Sequence, residues 1–153
     1  MKNIIVVLCL FISTLTWSQT LRVVDVSTEI APATSWLEVV DVSTEIAPAT
    51  SWLEVVDSGK YANSWQQAGA FFQKNVPQAL WVSKLEQVRT PLGSVTSREG
   101  ISRQVLTSIP QLPDGDYVIL EFQTDFENKA QSIETVTLKK SAEQWQVIGY
   151  FIQ

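Results

Sequence analysis

The hydrophobic period of this chain changes once, at Thr90-Pro91-Leu92-Gly93. Before that point apolar residues recur every three or four positions. Tyr61, Trp65, Ala68 and Phe72 fall on one helical face, with Trp52, Val56 and Gly59 as a second stripe that implies a kink near Gly59 or packing on two sides. Ser51-Trp52-Leu53-Glu54 has the form of a capping box, and Pro48 disfavours helix just upstream, so the first helix of the domain is expected to start at Ser51. A further helix is predicted over 77–89, with Pro77 in its first turn and Trp81, Leu85 and Val88 on its inner face.

After Gly93 the period is two. Strands are predicted at 101–108, 117–126, 133–140 and 145–152, with Pro113-Asp114-Gly115-Asp116 turning the chain between the first pair. Val118, Leu120 and Phe122 share one face of the second strand, and the last strand is apolar on both of its alternating sets. Such a sheet needs cover on each side, from helices on one and a cavity, partner or bend on the other. The expected fold class is therefore α+β, N-terminal helices packed on a curved four-stranded antiparallel sheet.

One phrase is written twice. Residues 23–38 and 39–54 are identical at all 16 positions, without a gap. Solenoid repeats drift in sequence and need about three copies to share a core. An exact pair is instead the mark of a recent in-frame duplication, or of an error in the underlying nucleotide sequence, with no structural demand behind it. Only the second copy runs directly into Ser58-Gly59-Lys60-Tyr61, so the domain is expected at 49–153 and an N-terminal arm holding the extra copy at 19–48.

The first 18 residues read as a secretory signal. Lys2 precedes an apolar run of twelve at 4–15, and Thr16-Trp17-Ser18 offers a cleavage pattern before Gln19. The run is shorter than the ~20 residues that span a bilayer. The expected location is the periplasm or the exterior, with no membrane span after cleavage. Removal of 1–18 takes away Cys9 and Met1, and the chain has no His. Disulfides, thiol nucleophiles, His or Cys metal sites and Ser-His-Asp catalysis are then excluded, and no metal or cofactor is expected. A net charge of −5 argues against nucleic acid as a partner.

Polar chemistry concentrates in a few side chains. Arg89, Arg98 and Arg103 lie around the junction of helices and strands, while Glu121 and Glu134 sit inside apolar strands where an unpaired carboxylate is costly. Two readings stand side by side. An Arg–Glu bridge holds the sheet, or a polar cluster with a raised Glu pKa forms the floor of a pocket. Arg98 with Glu134 is the leading pair, and Arg89, Glu121 and Tyr150 complete the candidate ligand-binding set.

Taken together, Trp52-Leu53, Val56-Asp57, Gly59, Tyr61, Ser64-Trp65, Trp81, Arg89, Pro91-Leu92-Gly93 and Arg98 resemble the motif series of the bacterial domain-of-unknown-function 4019 family. Pro113-Asp114-Gly115-Asp116-Tyr117, Phe126, Glu134-Thr135, Trp145-Gln146-Val147 and Gly149-Tyr150-Phe151-Ile152 resemble its later signatures. The resemblance covers about residues 49–153. It implies an exported domain of unassigned activity, without catalytic residues to carry over, and its helices-then-sheet order is similar to the cone-shaped nuclear transport factor two-like fold. Two functions are expected from these readings. The first is a non-catalytic module for a small apolar ligand or a protein partner, with homodimerisation through the sheet as a further partner class. The alternative is a cofactor-free isomerase, dehydratase or hydrolase using Glu, Tyr and Arg in a cone-shaped pocket. The absence of His favours binding.

Overall fold

The structure, a computed structural model, describes residues 43–153. The secretory segment 1–18 and the first repeat copy 23–38 lie outside the described residues. Four helices come first, α1 (Ser43–Asp57), α2 (Tyr61–Gln67), α3 (Ala70–Asn75) and α4 (Gln78–Leu92). Four strands come next, β1 (Val95–Leu106), β2 (Tyr117–Phe126), β3 (Lys129–Ser141) and β4 (Gln144–Ile152), paired antiparallel in the order β1-β2-β3-β4. This is the α+β arrangement expected from the single change of period. Among the described residues, no helix is long and apolar enough to cross a membrane.

The helix starts correct two local signals. α1 begins at Ser43, eight residues before the expected cap, so Ser51 is mid-helix and Pro48 lies within the helix. The carbonyls nearest the proline are occupied, because the Thr50 hydroxyl donates to Ile46 O at 3.0 Å and Ala47 O at 3.1 Å. Residues on both sides of Pro48 are anchored, Glu45 by Arg103 and Ala49 by full burial. Tertiary contacts therefore outweigh the proline. The stripe Tyr61, Trp65, Ala68, Phe72 does pack on the core, but not along one helix. Ala68 and Gly69 are extended, with ψ of 158° and 153°, and the Gly69 N–H donates to Val147 O of β4 at 2.7 Å. The chain breaks its helix there to bond the sheet.

α4 runs three residues past its expected end and carries Pro91 in its last turn. Its inner face is Trp81, Leu85 and Arg89 at a spacing of four, whereas Val88 is only half-buried. Gly93 ends it at φ 77°, where a β-carbon would lie 2.7 Å from Glu127 Oε2. Glu127 and Asn128 bond back to the corner through Glu127 N to Ser94 O and Asn128 N to Leu92 O. A side chain at Gly93 would push the β2–β3 turn off this corner.

Trp81 is fully buried at the centre, with Phe72 edge-on at 5.0 Å, Trp52 at 5.9 Å and Tyr150 at 6.1 Å between ring centroids. Each indole here has a partner for its N–H. Trp52 donates to Ser64 O at 2.8 Å and Trp81 to Ser64 Oγ at 3.0 Å, while Trp65 on the rim donates to Val76 O at 2.7 Å. Fully buried aromatics satisfied in this way contribute area and edge-to-face attraction without a desolvated donor.

The strands show why sequence alternation is only part of register. β2 falls on the expected residues and its inner set, Val118, Leu120, Phe122, Thr124 and Phe126, is buried. β1 begins six residues earlier than expected and ends two earlier, since its polar start pairs with the far half of β2. β3 and β4 are each extended, to Lys129–Ser141 and Gln144–Ile152. In β4 Thr137 faces Gly149 and Leu138 faces Val147, leaving Ile148 as a bulge. That bulge turns Val147 and Tyr150, three apart, to the same core face, which accounts for apolar residues in both alternating sets.

Candidate functional site

A second bulge decides what the helices meet. Gly100 pairs with Phe122 and Ser102 with Glu121, so Ile101 is extra. Arg98 and Arg103, five apart, would point to opposite faces of a regular strand. With the bulge between them they face Thr124 and Leu120, both inward-pointing residues of β2. The sheet thus presents one arginine to each end of α1.

At the C-terminal end of α1 the arginines and carboxylates close into a clasp. The Glu134 side chain is fully buried. Arg89 Nη1 donates to its Oε1 at 3.1 Å, and the Tyr150 hydroxyl donates to the same oxygen. Oε2 accepts from Arg98 Nε at 2.8 Å and Thr124 Oγ1 at 2.6 Å, with Arg98 Nη2 2.7 Å away. Asp57, the last residue of α1, takes the other side of both guanidiniums. Its Oδ1 accepts from Arg89 Nη2 at 2.6 Å and Arg98 Nη2 at 3.0 Å, and its Oδ2 from Arg98 Nη1 at 2.7 Å. Phe126 lies under Arg89, its ring centroid 4.7 Å from the guanidinium carbon. One network therefore ties α1, α4 and all four strands.

The electrostatics keep both guanidiniums charged and the tyrosine protonated. Burial favours loss of the Arg98 proton. The hydrogen bond to Asp57 and the charges of Glu134 and Asp57 together outweigh it, and the pKa rises above the usual guanidinium value. Arg89 is raised against its own burial by Tyr150, Glu134 and Asp57. Burial first, and the Glu134 charge second, push Tyr150 well above its ordinary 10.0, so it keeps its proton and donates. Two cations and two anions balance, and Glu134 is closed off from solvent. The arrangement is built to stay as it is.

The N-terminal end of α1 differs. Arg103 Nη2 donates to Glu45 Oε1 at 2.8 Å, but Glu45 Oε2 and Arg103 Nε are buried and have no hydrogen-bond partner. Beside this pair a groove of about 630 Å³ opens between α1 and the β1–β2 ribbon. Ile46, Thr50 and Glu54 line it from α1, Arg98, Ile101 and Arg103 from β1, and Leu120, Glu121 and Phe122 from β2, so Arg98 of the clasp borders its far end. Ile46 and Ile101 are two of the four large apolar side chains exposed among the described residues. Among those residues no three metal-ligating side chains come together.

The structure brings Arg89, Arg98, Glu134 and Tyr150 into one cluster. It leaves out Glu121, which alternates with the inward-facing Leu120 and Phe122, makes none of the clasp bonds, and borders the groove instead. Arg103 joins Glu45 rather than the other arginines. Sequence reasoning missed Asp57 and Thr124. Asp57 closes the duplicated phrase SWLEVVD, where its acidity reads as incidental, and Thr124 shows only as an even position of an otherwise apolar face.

A search among curated proteins finds no match. Residues 48–150 match the family model described as "Protein of unknown function (DUF4019)", a span that takes in α1 from Pro48 onward, the whole clasp and the β1–β2 side of the groove. On that match the chain belongs to the DUF4019 family.

Proposed function

We propose that the protein is an exported, non-catalytic module that holds a small apolar ligand carrying one polar group, in the groove between α1 and β1. One observation carries the reading. No buried polar atom of the Glu134 clasp lacks a partner, whereas the half-buried Arg103–Glu45 pair leaves a carboxylate oxygen and a guanidinium N–H unsatisfied beside an apolar groove. Buried polar atoms are paired in native proteins nearly always, so such orphans mark where a partner is missing. The groove volume lies within the ~300–1,000 Å³ usual for small-molecule clefts. A head group that accepts from Arg103 Nε and an apolar body laid over Ile46, Ile101 and Phe122 would complete it. The Lys2-led apolar segment at the N-terminus supports export.

Acid–base catalysis is the weaker reading. Glu134 already accepts from Arg89, Arg98, Thr124 and Tyr150, and Tyr150 is held protonated, so neither group has a proton vacancy or a free proton to offer a substrate.

Titration with a dansylated fatty acid tests the binding reading. Saturable fluorescence enhancement is expected for the parent chain, weakened about tenfold or more by Arg103→Met or Ile101→Asp and unchanged by Leu80→Asp on α4, outside the groove. Equal affinity in all four chains, or no saturable binding, contradicts it.

A further inference from the structure

Four charged side chains line the groove, Glu54 from α1, Arg98 and Arg103 from β1, and Glu121 from β2. Both arginines are already matched. Arg103 Nη2 lies 2.8 Å from Glu45 Oε1, and Arg98 lies 2.7 Å from each of Asp57 Oδ2 and Glu134 Oε2. Glu54 and Glu121 have no ion pair among the described residues. With the clasp in balance and Arg103 offset by Glu45, the two lining carboxylates are left as net negative charge, although arginines stand on the β1 wall.

We infer, on the reading that the groove is the ligand site, that the head group it takes is uncharged and both donates and accepts hydrogen bonds, as a primary amide or a hydroxyl does. A carboxylate would give up its water to a guanidinium whose charge Glu45 already offsets, with Glu54 and Glu121 repelling it. An anion buried without a free counter-charge is costly. An ammonium suits the two carboxylates but has no lone pair for Arg103 Nε, which is buried and lacks an acceptor. A group with both functions answers both leftovers of the pair, since Glu45 Oε2 lacks a donor as Arg103 Nε lacks an acceptor. Each of these atoms is two covalent bonds from the single contact between Arg103 Nη2 and Glu45 Oε1, which puts them within the span of one amide. The Glu45 side chain is only 6% exposed, and the next residue, Ile46, lines the groove.

Three dansylated probes with one tail and different heads, a carboxylic acid, its primary amide and the corresponding primary amine, test this by fluorescence titration of the full chain at neutral pH. The amide is expected to bind at least about tenfold more tightly than either of the others, a difference of about 1.4 kcal/mol. Glu45→Gln frees the charge of Arg103, so the acid should gain about tenfold while the amide changes by less than about threefold. Glu121→Gln, at a half-buried position outside every ion pair, should also tighten the acid relative to the amide, by a smaller factor. Saturable binding in which the acid or the amine matches or exceeds the amide overturns the inference and leaves the groove reading standing, as does a Glu45→Gln or Glu121→Gln chain in which the acid gains nothing. No saturable binding of any probe overturns both.

Discussion

The two ends of α1 are held by the same chemistry, one arginine of β1 on one acidic residue of the helix, yet they differ in completion. At the Asp57 end a second arginine, a second carboxylate, a threonine and a tyrosine leave no buried polar atom of the clasp itself without a partner, the nearest orphan being Ser132 Oγ across the strands from Thr124. At the Glu45 end a single bond joins Arg103 to the helix and two buried polar atoms are left over. The difference teaches which polar cluster to read as structure. A closed network of balanced charge, at the point where six elements meet, fixes the fold. An open one beside an apolar groove is where the molecule has interaction left to give.

The same substitution at each end breaks this comparison most sharply. Glu134→Gln puts an amide among four donors inside the core and is expected to lower stability by about 3–5 kcal/mol in urea unfolding. Glu45→Gln, whose carboxylate makes one bond, is expected to cost about 1 kcal/mol. Equal losses would erase the distinction between the ends.

Tyr150→Phe comes next, with an expected loss of about 1–2 kcal/mol at neutral pH from the lost charge-assisted hydrogen bond to Glu134. Its pH dependence sharpens the assignment. The Tyr150 pKa is raised in the folded chain, so the stability it lends is complete below its ordinary 10.0 and is lost as pH rises beyond that value, where only the unfolded chain ionises. Above pH 10 the parent should lose stability more steeply than Tyr150→Phe, by up to about 1.4 kcal/mol per pH unit. Parallel slopes would mean that Tyr150 is not in the buried protonated state.

At the open end, Ile101→Asp is expected to change stability by no more than about 0.5 kcal/mol, since Ile101 is 49% exposed on a bulge. A similarly small effect is expected from deleting residues 23–38. The melting temperature should stay within a few degrees, about 1 kcal/mol, because the remaining copy already fills the α1 position. A collapse of folding in that deletion would show the upstream copy to be structural.

Much of this fold was legible because its strongest signals are global. The change of period located the helical and sheet halves, and the alternation in β2 marked its limits to the residue. The Arg98–Glu134 partnership was legible for a physical reason too, since a carboxylate amid apolar strand residues has to be paired. What failed were local signals overruled from a distance. The capping box at Ser51 and the proline at 48 lost to burial of Ala49 and to the Glu45–Arg103 bond. The break at Ala68 and Gly69 answers a β4 carbonyl that lies far along the chain. The bulges at Ile101 and Ile148 reverse the facing of later residues, and alternation has no mark for them. Glu121 was placed with the site on its residue type and strand, but its parity sets it apart from the clasp.

Whether the clasp holds only the fold is tested most directly by the affinity of Glu134→Gln for the dansylated fatty acid, measured cold and without denaturant so that the weakened chain stays folded. A dissociation constant within about twofold of the parent's is expected, because the proposed head-group contact, Arg103 Nε, lies at the other end of α1 from Glu134. A loss of tenfold or more, about 1.4 kcal/mol of binding, in a chain that is still folded would place the ligand at Glu134 and contradict the division between a structural end and a binding end.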